Sequence, residues 1–594
     1  MKFFAVAAIA LAAAVALADD ELSLASGRVE AVQSGRLTFE SGGSVVLKSI
    51  SAEYSSGFRL LPQPGKESFD LSSGRYLAAD LESLADHQQR LCLQIKGASG
   101  EAYAGIALDP GEKATVKLHL PHDFIYSFPS GAKGVKTLYT HSITSIAFLV
   151  VWPYEGQFSG LIHCRVSNVR LAGPPDFARR VSAANYLPFV DRFGQYAHGN
   201  WKYKVKSYDE LRADLAEERA GLRGQPACWD EYGGWADGPQ LEATGSFRTM
   251  KVDGKWWLVT PSGHLFYSLG INVVKADSDA PNGLSHPDWY ASAAQSSMSF
   301  PTWNLREKFG KTDFKADYYD FVVRRLDSWG VNTIGNWSEG DLTKSGRKPY
   351  VLTAVSKPEG LPYLPGGFYD TLEATFAGKM ALAVSNALAV AGSAAAQAVN
   401  DPMCIGFFID NELSFPADSS YYEPYFQACK EALAAAAPGK LYLGCRFKSL
   451  RNSDALWNAA AKWCDVISVN SYVNSVAVFT EGNYAAPKFD RPVLHSEFHF
   501  GTLHRGMFSA GLCPVGDQCE RSRCYRRVVE GALRHPLFVG SHWFQYRDQP
   551  LVGRGDGENY QIGFVDVCDR PYRPLADAAR SVGERMYAIR YEGK

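Results

Sequence analysis

The chain has 594 residues, too many for one typical domain and suited to two or three. It is 46% hydrophobic and 21% charged, the balance of a globular protein able to bury large cores. With 61 Lys and Arg against 63 Asp and Glu, the net charge of −2 gives no electrostatic footprint for nucleic acid or an anionic membrane surface.

The first twenty residues, MKFFAVAAIALAAAVALADD, carry one Lys, an apolar stretch and Ala16-Leu17-Ala18. This pattern predicts a signal peptide over 1–18 and an exported protein, secreted or periplasmic. No Cys follows the cleavage site, so no lipid anchor is expected, and no later run is apolar and long enough to span a bilayer.

From residue 19 to 173 the pattern is short alternating runs broken by Gly, Ser and Pro, among them SVVLKSISAEY, ATVKLHLP and SIAFLVVW. These predict an all-β sandwich. GPPDFARR at 173–180 reads as the boundary. Over 174–594 strands alternate with amphipathic helices. Eight strand candidates lie in 264–274, 330–337, 349–354, 404–412, 440–447, 464–472, 491–498 and 537–544. Helical stretches such as DYYDFVVRRLDSWG and KMALAVSNALAVAGSAAAQAV separate them, so the expectation is an α/β fold, a (β/α)8 TIM barrel. No Gly-rich phosphate loop opens any of these helices, which argues against a nucleotide.

Of the eleven cysteines, Cys513, Cys519 and Cys524 cluster in one polar segment, where a disulfide between two of them is expected. Zinc is the rival there, but no His stands at ligand spacing.

In such a barrel the chemistry sits at the carboxyl ends of the strands. Strand two ends in Asn336-Trp337, strand four in Asp410-Asn411-Glu412, and strand six in Asn470 and Tyr472. Strand seven ends in Glu497-Phe498-His499 and strand eight in His542-Trp543. An apolar strand that runs straight into carboxylates calls for a use for them. Glu412 and Glu497, on strands four and seven, suit glycoside hydrolysis, in which one carboxyl gives a proton to the leaving oxygen and the other attacks the anomeric carbon. The plainer reading of either one alone is a solvated carboxylate. Asp410 is a rival acid, since strand alternation puts it on the same face as Glu412. His499 and His542 read as hydrogen-bonded site walls. Trp337 and Trp543 would stack on sugar rings, or be barrel-top core.

These residues lie within a longer likeness. The segments PFVDRFGQYAHGNW, WDEYGGWADGPQLEATGSFRTMKVDGKWWLVTPSGHLFYSLGINVV, GFFIDNELS, SEFHFGTLHRGMFSAGL and GSHWFQYRDQPLVGRGDGENYQIGFVD resemble glycoside hydrolase family 50, the β-agarases. The resemblance covers nearly all of 186–590, and the sandwich over 19–173 resembles, much more weakly, the carbohydrate-binding-like domain that precedes the barrel in such enzymes. It implies that Glu412 is the general acid/base, Glu497 the nucleophile, Asn411 a ligand of the neighbouring hydroxyl, and Tyr472 a hydrogen-bond partner of the nucleophile. Asn336, Trp337, His499, Arg505, Trp543 and Glu558 complete the implied substrate-binding set. The sequence departs from the family pattern at Asn272 and His504, where Asp is usual.

The implied activity is retaining hydrolysis of β-1,4 linkages in agarose or its oligosaccharides, with release of neoagarobiose from a chain end. No cofactor or metal is required, and the partner is the galactan itself. The alternatives are a β-galactosidase-type hydrolase on another red-algal galactan such as porphyran, and an inactive carbohydrate-binding protein.

Overall fold

The computed structural model describes residues 21–49, 56–98, 100–121, 138–149, 161–174, 185–277, 286–291, 299–448, 452–473, 476 and 489–593. The signal peptide expected over 1–18 lies outside the described residues, as does most of the boundary segment, 175–180.

Two five-stranded antiparallel sheets form the first part. One runs in spatial order Val29–Val32, Gly57–Leu60, Ile143–Leu149, Gln89–Gly97 and Gly100–Leu108. The other runs Gly35–Glu40, Ser44–Ser49, His163–Ala172, Tyr76–Ser83 and Lys113–His119. Side-chain alternation makes this possible: in Ser44–Ser49, Val45 and Leu47 are buried while Lys48 is exposed. Val45 and Leu47 join Leu81 and Val166 of their own sheet and Phe58, Leu93, Ile146 and Phe148 of the other in one core, the packing of a sandwich.

The second part is a parallel sheet of eight strands. Numbered along the chain, they are Ser268–Ile271, Thr333–Ile334, Tyr350–Val355, Cys404–Ile409, Leu441–Tyr442, Ile467–Asn470, Val493–Phe498 and Phe538–Trp543. Seven fall within the segments picked out from the sequence, and strand three runs one residue past its segment, to Val355. Strand one pairs with both strand two and strand eight. Strands five and six meet beyond the end of the fifth: Phe447 bridges Val469, donating to the Ser468 carbonyl at 2.9 Å and accepting from the Asn470 N–H at 2.8 Å. That bridge closes the barrel.

Helices such as Lys315–Ser328, Tyr422–Ala436, Gln518–Arg534 and Arg573–Glu592 pack outside the strands, on a continuous apolar layer. The Ala-rich stretch is two helices, Phe376–Ala389 and Ala394–Ala398. The break comes at Gly392, whose φ of 76° ends the first turn of chain, and Ser393 caps the second helix by accepting from the Ala396 N–H at 3.0 Å.

A three-stranded meander, Arg248–Val252, Lys255–Val259 and Leu265–Phe266, precedes strand one. Its Leu258 and Phe266, with Phe247, cluster with Val351, Ile405, Leu443, Val466, Leu494 and Val539 from strands three to eight and the residues just beyond them. This seals the barrel floor and leaves the carboxyl ends as the open face.

The sandwich is docked on the barrel by direct contacts. Lys117 pairs with Asp517 at 2.5 Å, Arg527 with Glu112 at 2.7 Å and Asp109 at 3.1 Å, and Arg523 with Glu112. Gly516 lies so close to the Lys117 backbone that a Cβ there would sit 2.3 Å from its carbonyl oxygen. No disulfide links any two of Cys513, Cys519 and Cys524, contrary to the sequence expectation. Cys519 and Cys524 lie on one helix, the first exposed and the second buried, and the Cys524 thiol donates to Glu520 at 3.4 Å.

Candidate active site

Strand four is buried at every residue from Cys404 to Ile409, and the backbone then turns left-handed at Asp410 (φ 66°) and again at Glu412 (φ 52°). Strand alternation therefore ends at Ile409, and the expectation that Asp410 and Glu412 share a face is overturned. Asp410 is fully buried in a cage: Oδ1 accepts from the Lys357 N–H at 2.6 Å and the Tyr369 hydroxyl at 2.8 Å, and Oδ2 from the Tyr425 hydroxyl at 2.9 Å. Burial pushes its carboxyl up from the ordinary range, and the three donors pull it back in part. Asp410 thus pins the turn rather than facing the cleft. Asn411 and Glu412 both line the cleft.

Glu412 is anchored from below and beside. Its N–H bonds to the Cys445 and Arg446 carbonyls at 3.2 and 3.3 Å, and its Oε1 accepts from the Asn470 amide at 2.8 Å. Burial raises the proton affinity of its carboxyl, the negative charge of Glu497 raises it further, and Asn470, Arg446 and Lys448 oppose the shift.

Glu497, at the end of strand seven, is 5% exposed. Its Oε2 accepts from the Tyr472 hydroxyl at 2.6 Å and its Oε1 from the Arg446 guanidinium. Two donors on two oxygens are the hydrogen-bonding pattern of a carboxylate anion. Tyr472 is held well above its ordinary value by burial and then by the charge of Glu497, so it acts as a donor only.

The two carboxylates open on one cleft of about 410 Å³, walled by Trp337, Tyr472, Phe544 and Tyr560, with Lys275, Arg554 and Glu558 also on the lining. Several of its residues share a left-handed backbone: Val273 (φ 59°), Trp337 (62°) and Glu412 (52°), with Arg446 (54°) behind them. Such conformations persist only where the surroundings enforce them, and here they aim side chains from strand ends into one space.

The remaining sequence candidates divide. Asn336 is 1% exposed and exchanges both amide atoms with Thr353, at 2.9 and 3.1 Å, so it is not offered to a sugar. His499 lines the cleft, yet both ring nitrogens are committed: Nε2 accepts from the Leu512 N–H at 2.9 Å and Nδ1 donates to the Phe544 carbonyl at 3.1 Å. Burial lowers it to about 3, so it stays neutral. His542 is not a site wall; it lies inside the barrel, hydrogen-bonded to Ser268 at 2.8 Å.

Trp543 is fully buried against Phe498 and Phe564, and its indole donates to the Ile562 carbonyl at 2.8 Å. It cannot stack on a sugar. Arg505 is turned away from the cleft, paired with Asp566 at 2.6 Å and packed on Tyr572. With His504 it lines a separate cavity of about 870 Å³ beside the helix Arg573–Glu592. Asn272 is buried, donating to the Ser496 carbonyl at 2.9 Å, and so supports the strand that carries Glu497. Glu558 does reach the cleft, where it pairs with Arg554 at 3.0 Å and accepts from Gln549 at 2.8 Å.

Sequence reasoning missed Arg446 and Phe544. For Arg446 the signal was there: a charge in the apolar stretch LYLGCRF must find a buried partner. Phe544 was hidden behind its neighbour Trp543.

No protein-family model matches the chain. Among characterised proteins it is similar to β-agarase B of Vibrio sp. (strain JT0107), with 26% identity over 87% of this chain and 69% of that one. It is also similar to β-agarase A of the same strain, with 29% identity over 68% of this chain and 52% of that one, so it spans about half the length of the latter. Among solved structures, an agarase named AgWH50C superposes with a TM-score of 0.69 and 25% identity, covering 96% of this chain and 99% of its own. An exo-β-agarase superposes with a TM-score of 0.72 and 22% identity over the same shares of both chains.

Proposed function

This chain belongs to glycoside hydrolase family 50, the β-agarase family, and we propose that it hydrolyses the β-1,4 linkages of agarose or agaro-oligosaccharides with retention of configuration. The observation that carries the reading is the division of labour between the two carboxyl groups. Glu412 is buried beside a negative charge, both of which favour its protonated form; Glu497 accepts from Tyr472 and Arg446, the hydrogen bonding that suits the anion.

The steps follow from that division. Glu497 attacks the anomeric carbon while Glu412 gives its proton to the leaving oxygen, forming a glycosyl ester on Glu497. Esterification removes the charge of Glu497, one of the two causes that raise Glu412. Glu412 then becomes the better acid and so, once ionised, stays available as a base. It takes a proton from water, which attacks the anomeric carbon and frees Glu497. The Asn411 amide and the aromatic faces of Trp337, Phe544 and Tyr560 would hold the sugar.

We extend the proposal to attack at a chain end with release of neoagarobiose. The leader-like residues 1–18 support export, where a polysaccharide would be met.

The test is to incubate the wild type, Glu497→Ala and Glu412→Gln with agarose, porphyran and an aryl β-galactoside. The expectation is agarose turnover with neoagarobiose as the early product and retained configuration by proton NMR. Glu497→Ala should lose about a thousandfold or more. Glu412→Gln should fail on agarose and keep the first step on the activated aryl substrate. Inversion of configuration, or preference for porphyran, would overturn the corresponding part of the proposal.

A further inference from the structure

Arg446 lies just beyond strand five, which pairs with strand four but not with strand seven, and it touches the machinery of both at three points. Its Nη2 donates to Oε1 of Glu497. Its Nε donates to Oδ1 of Asn411 at 2.8 Å. Its carbonyl accepts from the Glu412 N–H at 3.3 Å. The side chain is fully buried, with the guanidinium carbon 4.9 Å from the Phe408 ring and 5.9 Å from the Trp337 ring, so water does not screen it.

We propose that Arg446 is a positioning residue that couples the two halves of the site. It orients the Glu497 carboxylate, turns the Asn411 amide so that its NH₂ faces substrate, and ties the Glu412 turn to the barrel closure. The inference rests on the roles given above to Glu412 and Glu497.

The Asn411 part follows from hydrogen-bond accounting. Its Oδ1 is taken by Arg446 Nε–H and, at 3.4 Å, by the Asn470 amide. The cleft-lining Asn411 therefore offers Nδ2 as a donor, which suits a hydroxyl oxygen of the sugar. The Glu497 part follows from geometry. With Arg446 on Oε1 and Tyr472 on Oε2, the carboxylate plane is fixed from both sides. The closure part follows from the chain: Arg446 is held left-handed (φ 54°), its N–H donates to Ser468 Oγ at 2.9 Å, and the next residue, Phe447, bridges Val469.

A side chain that merely filled space would leave the pH profile alone, and Arg446 should not. Around Glu497 stand Arg446, Tyr472, Glu412 and, further along the cleft, neutral His499 and Glu558; Lys448 acts on Glu412, and His542 feels Arg446 from within the barrel. Arg446 is the cation in contact with Glu497. Arg446 opposes the raised proton affinity of Glu412, so without it Glu412 binds its proton more tightly. The alkaline limb of kcat/KM, which needs Glu412 protonated, should then move to higher pH.

The experiment compares Arg446→Met and Arg446→Lys with the wild type, after checking that each is folded. Arg446→Met should lower kcat/KM on agaro-oligosaccharides by about a hundredfold or more at the wild-type optimum and move the alkaline limb upward. Arg446→Lys, which keeps the charge but cannot reach two acceptors, should lose rate while holding that limb near its wild-type place. A folded Arg446→Met with the alkaline limb unmoved would overturn the inference even though Glu497→Ala is inactive. An active Glu497→Ala would instead overturn the reading of the carboxyl pair.

Discussion

Trp543 and Phe544 are neighbours in the chain with opposite surroundings. Trp543, the last residue of strand eight, is fully buried, with its indole donating to the Ile562 carbonyl at 2.8 Å. Phe544, one step beyond, lines the cleft together with Tyr472 and Tyr560. Strand alternation decides this: a one-residue difference exchanges the core face for the open face. The larger, more sugar-like platform is thus spent on packing, and the smaller ring is the one substrate can meet.

Replacing these two residues should separate stability from catalysis. Trp543→Phe leaves a void and an unpaired Ile562 carbonyl, and should cost about 2–3 kcal/mol with little change in kcat or KM of the folded protein. Phe544→Ala should lower kcat/KM by roughly tens of fold with a smaller loss in melting temperature, because it removes ~2 kcal/mol of ring contact and orientation. Melting curves and initial rates on both variants decide the matter. Kinetic damage in Trp543→Phe at unchanged stability would contradict the assignment.

Asp410 should behave as a structural carboxylate. Asp410→Asn keeps the size but puts an NH₂ among three donors, so one of them loses its acceptor, at about 1–3 kcal/mol. Activity should fall equally on agarose and on an aryl galactoside with an activated leaving group, since a displaced turn moves Glu412 for both. Selective loss on agarose, the signature of a missing acid, would transfer that role to Asp410.

The contrast between these residues shows what was legible in the sequence. Short apolar runs, separated by helical stretches, located all eight barrel strands, because burial on both faces leaves a strong mark in composition. The polar strand ends pointed to Glu412, Glu497 and Tyr472, which the structure brings to one cleft. Side-chain direction was not legible. It depends on left-handed residues such as Asp410 and Glu412, where the alternation rule stops applying. Arg446 and Asn336 also escaped: whether a polar residue faces substrate or a neighbour such as Thr353 depends on packing between strands, which spacing along one chain does not encode.

Acid should unfold the protein through its buried histidines. Burial lowers His495 and His535 to about 4, and His499 and His542 to about 3. An unfolded histidine titrates near ~6.5. Each therefore contributes stability that is full above ~6.5 and is lost as pH falls toward the folded value, by up to about 1.4 kcal/mol per pH unit. Asp548 acts the other way, since burial holds it up at about 6 and its contribution grows as pH falls. Asp191, Asp410 and Glu412, also raised by burial, act in the same direction as Asp548, whereas Asp569, which Arg325, Lys308 and Arg547 hold low against the effect of burial, adds to the loss carried by the four histidines, and the loss prevails. The melting temperature should drop by several degrees between pH 6.5 and 4.5 and be nearly flat from 6.5 to 8. A flat profile through the acid window would show that these histidines are protonated in the fold.

The last prediction concerns the joint between sandwich and barrel. Arg527 lies on the helix Gln518–Arg534 and reaches across to Glu112 at 2.7 Å, Asp109 at 3.1 Å and the Ala107 carbonyl. Arg523 of the same helix pairs with Glu112, and Lys117 with Asp517 at 2.5 Å. Single exposed ion pairs are worth little, but these are partly buried and share acceptors, so charge reversal acts on the whole group. Arg527→Glu sets a third carboxylate against Asp109 and Glu112 and leaves the Ala107 carbonyl without this donor. The wild type should unfold in one cooperative transition, and Arg527→Glu should split it into two, with the sandwich melting first. The connection reaches the cleft through the segment 499–517, which begins at His499, carries Leu512 on the cleft lining, and sets Gly516 against Lys117 near its other end. Activity on oligosaccharides should therefore fall, though by less than about tenfold, because the Leu512–His499 bond and the carboxyl pair belong to the barrel. Calorimetry and rates on the same preparation test both halves of the argument. A single transition at an unchanged temperature would mean that apolar contact holds the two parts together without these charges.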